Sequence, residues 1–369
     1  MIAILGPAPP DRGGIARETA LLVEELSRRG PVSYFTFSRR YPRWLDPRRF
    51  DVDPGLAPTA ARPVFDYRSP LSWKRTAEAI AAEHPAALII PWWTAFWGLP
   101  VRALLRRLAR LSPRTRRVLL CHNVEDHEGG AGRRFLALGA FLAADAYVVH
   151  SAEDRARLGR LAPDHPALFL PHPVAQATGP SRAEARRRLG LDEAPLVLFL
   201  GLVRRYKGVD LLLDAAPEIT RKTGARIAVV GEVFPDAAEL TRRAQANPVR
   251  DRILWRDEYV PEEEMGLWLS ACDAVVIPYR RISGSGIVAR AFAAGRPVAA
   301  SAVGGLKESV EPGVTGELFA AGDAAALAST VATVLQREPG FYAAGLARAS
   351  ERASWPRYAD ALLDFVRSS

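Results

Sequence analysis

Short apolar runs alternate with longer amphipathic stretches along this chain. The runs IAIL (2–5), VSYFTF (32–37), ALIIPW (87–92), RVLLCH (117–122) and AYVVHS (146–151) predict strands. Between them lie helical patterns from about Ile15 to Arg29, near 97–111 and near 133–143. The strands are apolar throughout rather than on alternate residues, which is the signature of a parallel sheet covered on both faces. The first half therefore reads as a doubly wound α/β domain.

The rhythm breaks at FLPHPV (169–174), where Pro171 and Pro173 restrict the backbone and the polar stretch QATGPSRAEARRR follows. This predicts a linker. A second series then runs through LVLFLG (196–201), a helix from about Val209 to Thr223, RIAVVG (226–231), a helix near Ala237–Gln245 and RILW (252–255). It continues with a helix near Glu262–Ala271, AVVIPY (274–279), a helix opened by a glycine-serine loop, and RPVAAS (296–301). Two Rossmann-like domains are implied.

A length of 369 residues suits two domains, and 49% hydrophobic with 25% charged residues is an ordinary globular balance. The net charge of +9 would suit a phosphorylated ligand, an anionic membrane or nucleic acid. Against nucleic acid, the arginines are spread along the chain and no aromatic-basic recognition module occurs. Cys121 and Cys272 lie far apart in apolar segments and no Cys/His spacing fits a zinc site, so a reduced cytoplasmic protein is expected. The opening MIAILGPAPP lacks a basic leader pattern, and no apolar run is long enough to span a bilayer, so any membrane contact should be peripheral.

Chemistry concentrates at strand ends. Ser283-Gly284-Ser285-Gly286 precedes the apolar helix pattern of Ile287, Val288, Ala291 and Phe292, and a helix opening presents amides and a positive dipole end to a phosphate. In GLVRRYKG (201–208) a strand ends in glycine and Arg204, Arg205 and Lys207 follow, a set that can clamp an anion in the crevice of a parallel sheet; an ordinary exposed turn fits equally.

The first half offers Gly13 and Gly14 between strand and helix, where a ligand can approach the backbone. CHNVEDHE (121–128) holds His122, His127 and Glu128 at a strand end, suited to proton transfer or to hydrogen bonding of sugar hydroxyls, with a metal site as the rival idea. Trp92 and Trp93 belong to an aromatic cluster that either fills a core or stacks on a sugar. In VRALLRRLARLSPRTRR (101–117), Val101, Leu104, Leu105, Leu108 and Leu111 share one helical face, opposite arginines. That pattern fits a sheet-covering helix first and a helix lying on an anionic membrane second. The basic aromatic loop RRYPRWLDPRRF (39–50) is another positive patch.

The order and spacing of GLVRRYKGVD (201–210), the strand from Cys272-Asp273 to Pro278-Tyr279, and AAGRPVAASAVGGLKESV (293–310) resemble the donor half of family 4 glycosyltransferases. The chain departs from the family's Glu, seven residues, Glu motif: Ile282 and Arg290 stand at those positions. It looks like a branch with a Tyr…Ser-Gly loop instead. The resemblance implies a GT-B fold, with two Rossmann-like domains facing each other across a cleft, at 1–171 and 172–354, and a final helix (355–369) crossing back to the first.

It also implies a retaining, metal-independent transferase that moves a sugar from a nucleotide diphosphate sugar to a glycan or lipid-linked acceptor, in bacterial surface polysaccharide or glycoconjugate synthesis. No cofactor is expected beyond the donor substrate, and contact with the inner face of an anionic membrane is expected at most peripherally. His122, Lys207 and Arg204 are expected at the reacting centre. Gly13, Gly14, Arg205, Gly231, Glu232, Tyr279, Ser283, Gly284, Ser285, Gly286, Ile287 and Glu308 are expected around the donor, and Trp92, Trp93, His127 and Glu128 on the acceptor side. The alternatives are a sugar-nucleotide epimerase of GT-B shape and, motivated by the missing glutamates, a glycan-binding protein that has lost catalysis.

Overall fold

The computed structural model describes residues 1–41, 59–124, 131–174, 179–282 and 284–368, with the backbone alone at 131–134. His127, Glu128, Ser283 and most of the basic loop at 39–50 lie outside them. The chain divides into two compact units, one of residues Met1–Leu170 with Trp355–Ser369 and one of Pro171–Ser354. The prolines had put this division at 171/172.

In the first unit the elements run β1 (Ile2–Leu5), α1 (Gly14–Ser27), β2 (Val32–Arg39), β3 (Arg62–Asp66), α2 (Pro70–Ala82), β4 (Ala87–Trp92) and α3 (Gly98–Leu111). They continue with β5 (Arg116–Cys121), α4 (Ala131–Phe141), β6 (Ala146–Val149), α5 (Ala152–Leu161) and β7 (Ala167–Phe169). The seven strands form one sheet in the order β3-β2-β1-β4-β5-β6-β7, parallel throughout. β4 and β6 are buried at every position, as their unbroken apolar runs require. α3 seals one face with Val101, Leu104, Leu105 and Leu108, all 3% exposed or less, which is the sheet-covering reading; Leu111, expected on that face, is exposed because the helix ends there.

The second unit runs α6 (Arg182–Leu189), β8 (Leu196–Leu200), α7 (Val209–Thr223), β9 (Arg226–Val230), α8 (Glu239–Gln245), β10 (Ile253–Arg256), α9 (Glu262–Ala271) and β11 (Ala274–Ile277). Then follow α10 (Gly286–Ala293), β12 (Val298–Ser301), α11 (Leu306–Ser309), β13 (Gly316–Phe319), α12 (Ala324–Gln336) and α13 (Ala343–Arg352). Its sheet has the order β10-β9-β8-β11-β12-β13, again all parallel. α7 contains Pro217, which has no N–H to give to the Leu213 carbonyl one turn back. The buried Asn247 side chain supplies that donor at 2.8 Å, so the carbonyl is satisfied inside the core.

The last helix, α14 (Trp355–Arg367), belongs to the first unit. Trp355, Tyr358, Ala359, Leu362, Leu363 and Val366 are buried in one cluster with Ile2, Ile4, Leu22, Leu26 and Val148. Arg29 of the segment after α1 donates to Asp360, 2.5 Å, and to the Pro356 carbonyl, 3.1 Å. Among the described residues no helix is long and apolar enough to cross a membrane.

Candidate functional site

In each sheet the strand order reverses once, between β1 and β4 and between β8 and β11. Doubly wound sheets leave a crevice at that point, outside the carboxyl ends of the strands. In the second unit the loops that border it are 201–208 and 278–286, the two stretches singled out by glycine.

After β8 the chain turns at Gly201 (φ 113°), forms one helical turn over Arg205–Lys207 and closes at Gly208 (φ 66°). A Cβ at Gly208 would lie 2.0 Å from the Pro278 carbonyl oxygen, so only glycine lets this turn meet the loop after β11. Gly231 (φ 148°) plays the same part at the end of β9, where a Cβ would lie 2.1 Å from the Gly201 oxygen. Gly304 (φ 45°) holds its turn against Ile282, with 1.8 Å to that oxygen.

The closed turn aims one cation inward. Lys207 places its Nζ 5.3 Å from the centroid of the Tyr279 ring, and a Cβ on Gly201 would lie 3.6 Å from that nitrogen. Burial pushes the ammonium down to about 8, with repulsion from Arg204 adding to it. Tyr279 is buried against Phe199 and Tyr206, and burial raises its phenol. Its side chain bonds Ser285, and Ser301 Oγ donates to its carbonyl at 2.5 Å, tying the loop after β11 to the start of α10. Ser285 caps α10 without a bond from its hydroxyl to a helix amide, so the first amides of the helix, from Gly286 and Ile287, are not covered by a capping hydroxyl.

The other expected donor residues divide. Arg204 is half-buried: its Nε donates to Asp236 at 3.0 Å and its guanidinium lies 4.5 Å from the Phe234 ring centroid. Arg205 is exposed, 3.6 Å from Glu239, while its amide donates to Asp236. Both arginines thus brace the turn, with Arg204 close enough to Lys207 to lower its proton affinity. Glu232 is half-buried, and its backbone carbonyl accepts from Val203 at 2.8 Å. Glu308 is exposed on α11, just after the Gly304 turn, and Gly284 is half-buried before Ser285. Arg290 pairs with Glu262 of α9, and Ile282 packs on the core, so neither stands in for the missing carboxylates.

In the first unit the loop after β1 is open around Gly13 (φ 125°) and Gly14, where an added Cβ meets nothing within 4 Å. At the end of β5 the His122 amide donates to the Trp92 carbonyl at 2.8 Å. His122 Nδ1 lies 3.5 Å from a Glu18 carboxylate oxygen of α1. Its ring is 5.4 Å from that of His150, which is buried, donates from Nδ1 to the Leu170 carbonyl at 2.9 Å, and stacks on Tyr358 at 6.1 Å.

Burial holds both histidines neutral, His122 at about 3 with His150 adding repulsion, and His150 at about 4 despite its bond to Leu170. Sequence reasoning missed Glu18, His150 and Tyr358. Cys121 pairs with Val149 across β5 and β6, so the residue after each strand is a histidine at the same level, and that coincidence was the available signal for His150.

Trp92 is corrected from an acceptor platform to a core residue: it is 2% exposed and packs on Phe141, 5.2 Å between centroids. Trp93 is half-buried and its Nε1 donates to the Tyr41 hydroxyl at 2.6 Å, within a cluster of Phe37, Trp97 and Phe96.

The architecture is GT-B, and it is shared along nearly the whole chain with solved glycosyltransferase structures. Sucrose-phosphate synthase of Thermosynechococcus elongatus superimposes with a TM-score of 0.77 at 21% identity, over 99% of this chain and 98% of that one. Anabaena HepE, solved in complex with UDP, gives 0.77 at 17% identity over 100% of both. Residues 194–337 match the family model described as glycosyl transferases group 1. Among curated proteins, the D-inositol 3-phosphate glycosyltransferase of Frankia alni is 37% identical over 167 residues, 42% of this chain and 40% of that one. Its counterpart in Xylanimonas cellulosilytica is 36% identical over 202 residues, 53% and 47%. These alignments span about half the length of the curated relatives.

Proposed function

We propose that the protein is a glycosyltransferase that moves a sugar from a nucleotide diphosphate sugar to a glycan or lipid-linked acceptor, with retention of configuration and without a metal ion. The observation that carries this reading is the inward ammonium of Lys207 at the β8/β11 switch point, inside the segment that matches group 1 glycosyl transferases. Its charge and the first amides of α10 suit a diphosphate, and they would stabilise the charge that grows on the leaving phosphate. Anabaena HepE was solved with UDP and with UDP-glucose, which favours a uridine donor. Donor binding is assigned to the second unit.

The first unit is assigned the acceptor side. His122, neutral and oriented by Glu18, has the hydrogen-bonding capacity to hold a sugar hydroxyl. We place the reaction in bacterial surface glycan or glycoconjugate synthesis.

A thermal-shift screen of UDP-, GDP- and TDP-sugars tests the reading, because a ligand that binds the folded state raises the melting temperature. The expected result is a shift with one base, abolished in Lys207→Ala, together with sugar transfer that needs an acceptor. No shift with any of the three overturns it.

A further inference from the structure

We propose that the outer surface formed by α3 and α4 of the first unit docks on an anionic lipid bilayer. After Arg133 and Arg134 in its first turn, α4 carries apolar side chains on two sides. Ala137, Ala140 and Phe141 face the core, yet Phe135 is 72% exposed, Leu136 41% and Leu142, the residue just past the helix end, 54%. These outward apolar side chains contribute nothing to the core and leave a second apolar surface on a helix whose first turn holds two arginines.

The neighbouring helix supplies charge. With Val101, Leu104, Leu105 and Leu108 turned inward, Arg102, Arg106 and Arg110 repeat at intervals of one helical turn along the outer face, headed by Leu99, which is 53% exposed. The two helices are in close contact. A Cβ at Gly98 would lie 2.3 Å from the Leu136 carbonyl oxygen, and one at Gly139 would lie 3.0 Å from Cδ of Arg102. Arg102 thus lies against α4 at Gly139, one turn from Phe135 and one from Leu142. Apolar tips and guanidinium heads form one continuous surface.

Neither helix contains an aspartate or glutamate, and among the described residues no ion pair reaches Arg102, Arg106 or Arg110. A second copy of the chain seated symmetrically on this face would set arginines against arginines. An anionic bilayer offers the complement to both parts: headgroup phosphates for the stripe and an acyl boundary for Phe135 and Leu142. The inference does not depend on the transfer reaction proposed above.

Flotation of the full chain with phosphatidylcholine vesicles, with and without phosphatidylglycerol, tests it. The chain should float with the anionic vesicles alone, and less as salt rises. Phe135→Ser with Leu142→Ser should lower the bound fraction about tenfold, as should Arg102→Gln with Arg106→Gln and Arg110→Gln, at unchanged melting temperature. Arg221→Gln, on the other unit, should leave binding unchanged. Failure of the wild type to float, or flotation indifferent to both sets of changes, overturns the proposal. So does sedimentation showing a wild-type dimer that Phe135→Ser with Leu142→Ser converts to monomer, which would make the face a self-interface.

Discussion

Lys207 lies with its ammonium 5.3 Å from the centre of the Tyr279 ring, so the cation closing the first basic turn rests on the first aromatic of the following switch-point loop. The contact joins two loops that are far apart in sequence. It also keeps a charge in a place where burial has already lowered its proton affinity.

One consequence is a pH dependence of donor binding. Lys207 titrates near 8 in the folded protein, so it is cationic below that pH and neutral above it. Calorimetric affinity for UDP-glucose, whose diphosphate diester does not itself titrate in this range, should be flat below about pH 8 and fall above it, and Lys207→Met should be weak and flat across the range. A wild-type affinity that holds unchanged to pH 10 would remove Lys207 from the diphosphate.

The glycines of the site should separate clash from strain. Gly208→Ala and Gly231→Ala place a Cβ at 2.0 and 2.1 Å from a carbonyl oxygen, whereas Gly190 (φ 66°) and Gly224 (φ 68°) share the left-handed φ of Gly208 (66°) with open space around them. Chemical denaturation should show the first pair losing about 3 kcal/mol or more and the second about 1 kcal/mol.

Asn247→Ala should cost about 1–3 kcal/mol, because it leaves the Leu213 carbonyl buried without a donor. Restoring the missing amide by Pro217→Ala in the same background should recover most of that loss. If the double variant is no more stable than the single, the compensation is not what keeps Asn247 in place.

The histidine pair predicts acid sensitivity. Both are neutral when folded, at about 3 and about 4, while an unfolded histidine takes up a proton near 6.5. Their folded pKa values are depressed, so the unfolded chain binds protons that the folded one refuses. Stability is therefore lost as pH falls from about 6.5 toward 4, with each histidine adding up to about 1.4 kcal/mol per pH unit. Urea midpoints measured through that window should fall less steeply in His150→Gln than in the wild type, from a lower starting point.

Trp92→Ala should destabilise by about 3–5 kcal/mol as a core deletion. In the purified, folded fraction it should leave the UDP-dependent thermal shift intact.

The central strands were legible because burial on both faces demands unbroken apolar runs, and β1, β4, β5, β8, β9 and β11 all have them. β3 was not, since RPVFD has one fully buried apolar residue, Phe65, and sits at the edge of its sheet. β13 and the Ala-rich α12 likewise carried too weak a contrast between faces. At the site, glycine marked the turn around Lys207, because close backbone approach leaves a trace in composition. The partners of His122 left none: Glu18, His150 and Tyr358 come from three elements that only the sheet register and the returning helix bring together. Trp92 misled because an aromatic at the last position of a strand can face either way, and the pattern at 92–97 does not say which.

The return of α14 sets an order of assembly. Residues 171–354 form a continuous segment and hold every strand of their own sheet. The unit that begins the chain is different, because Ile2, Ile4 and Val148 remain uncovered by Tyr358 and Leu362 until that helix has been synthesised. During translation, the one of these two units that is started earlier is thus the one finished later, and its unfinished face must stay out of aggregates while residues 171–354 are being made.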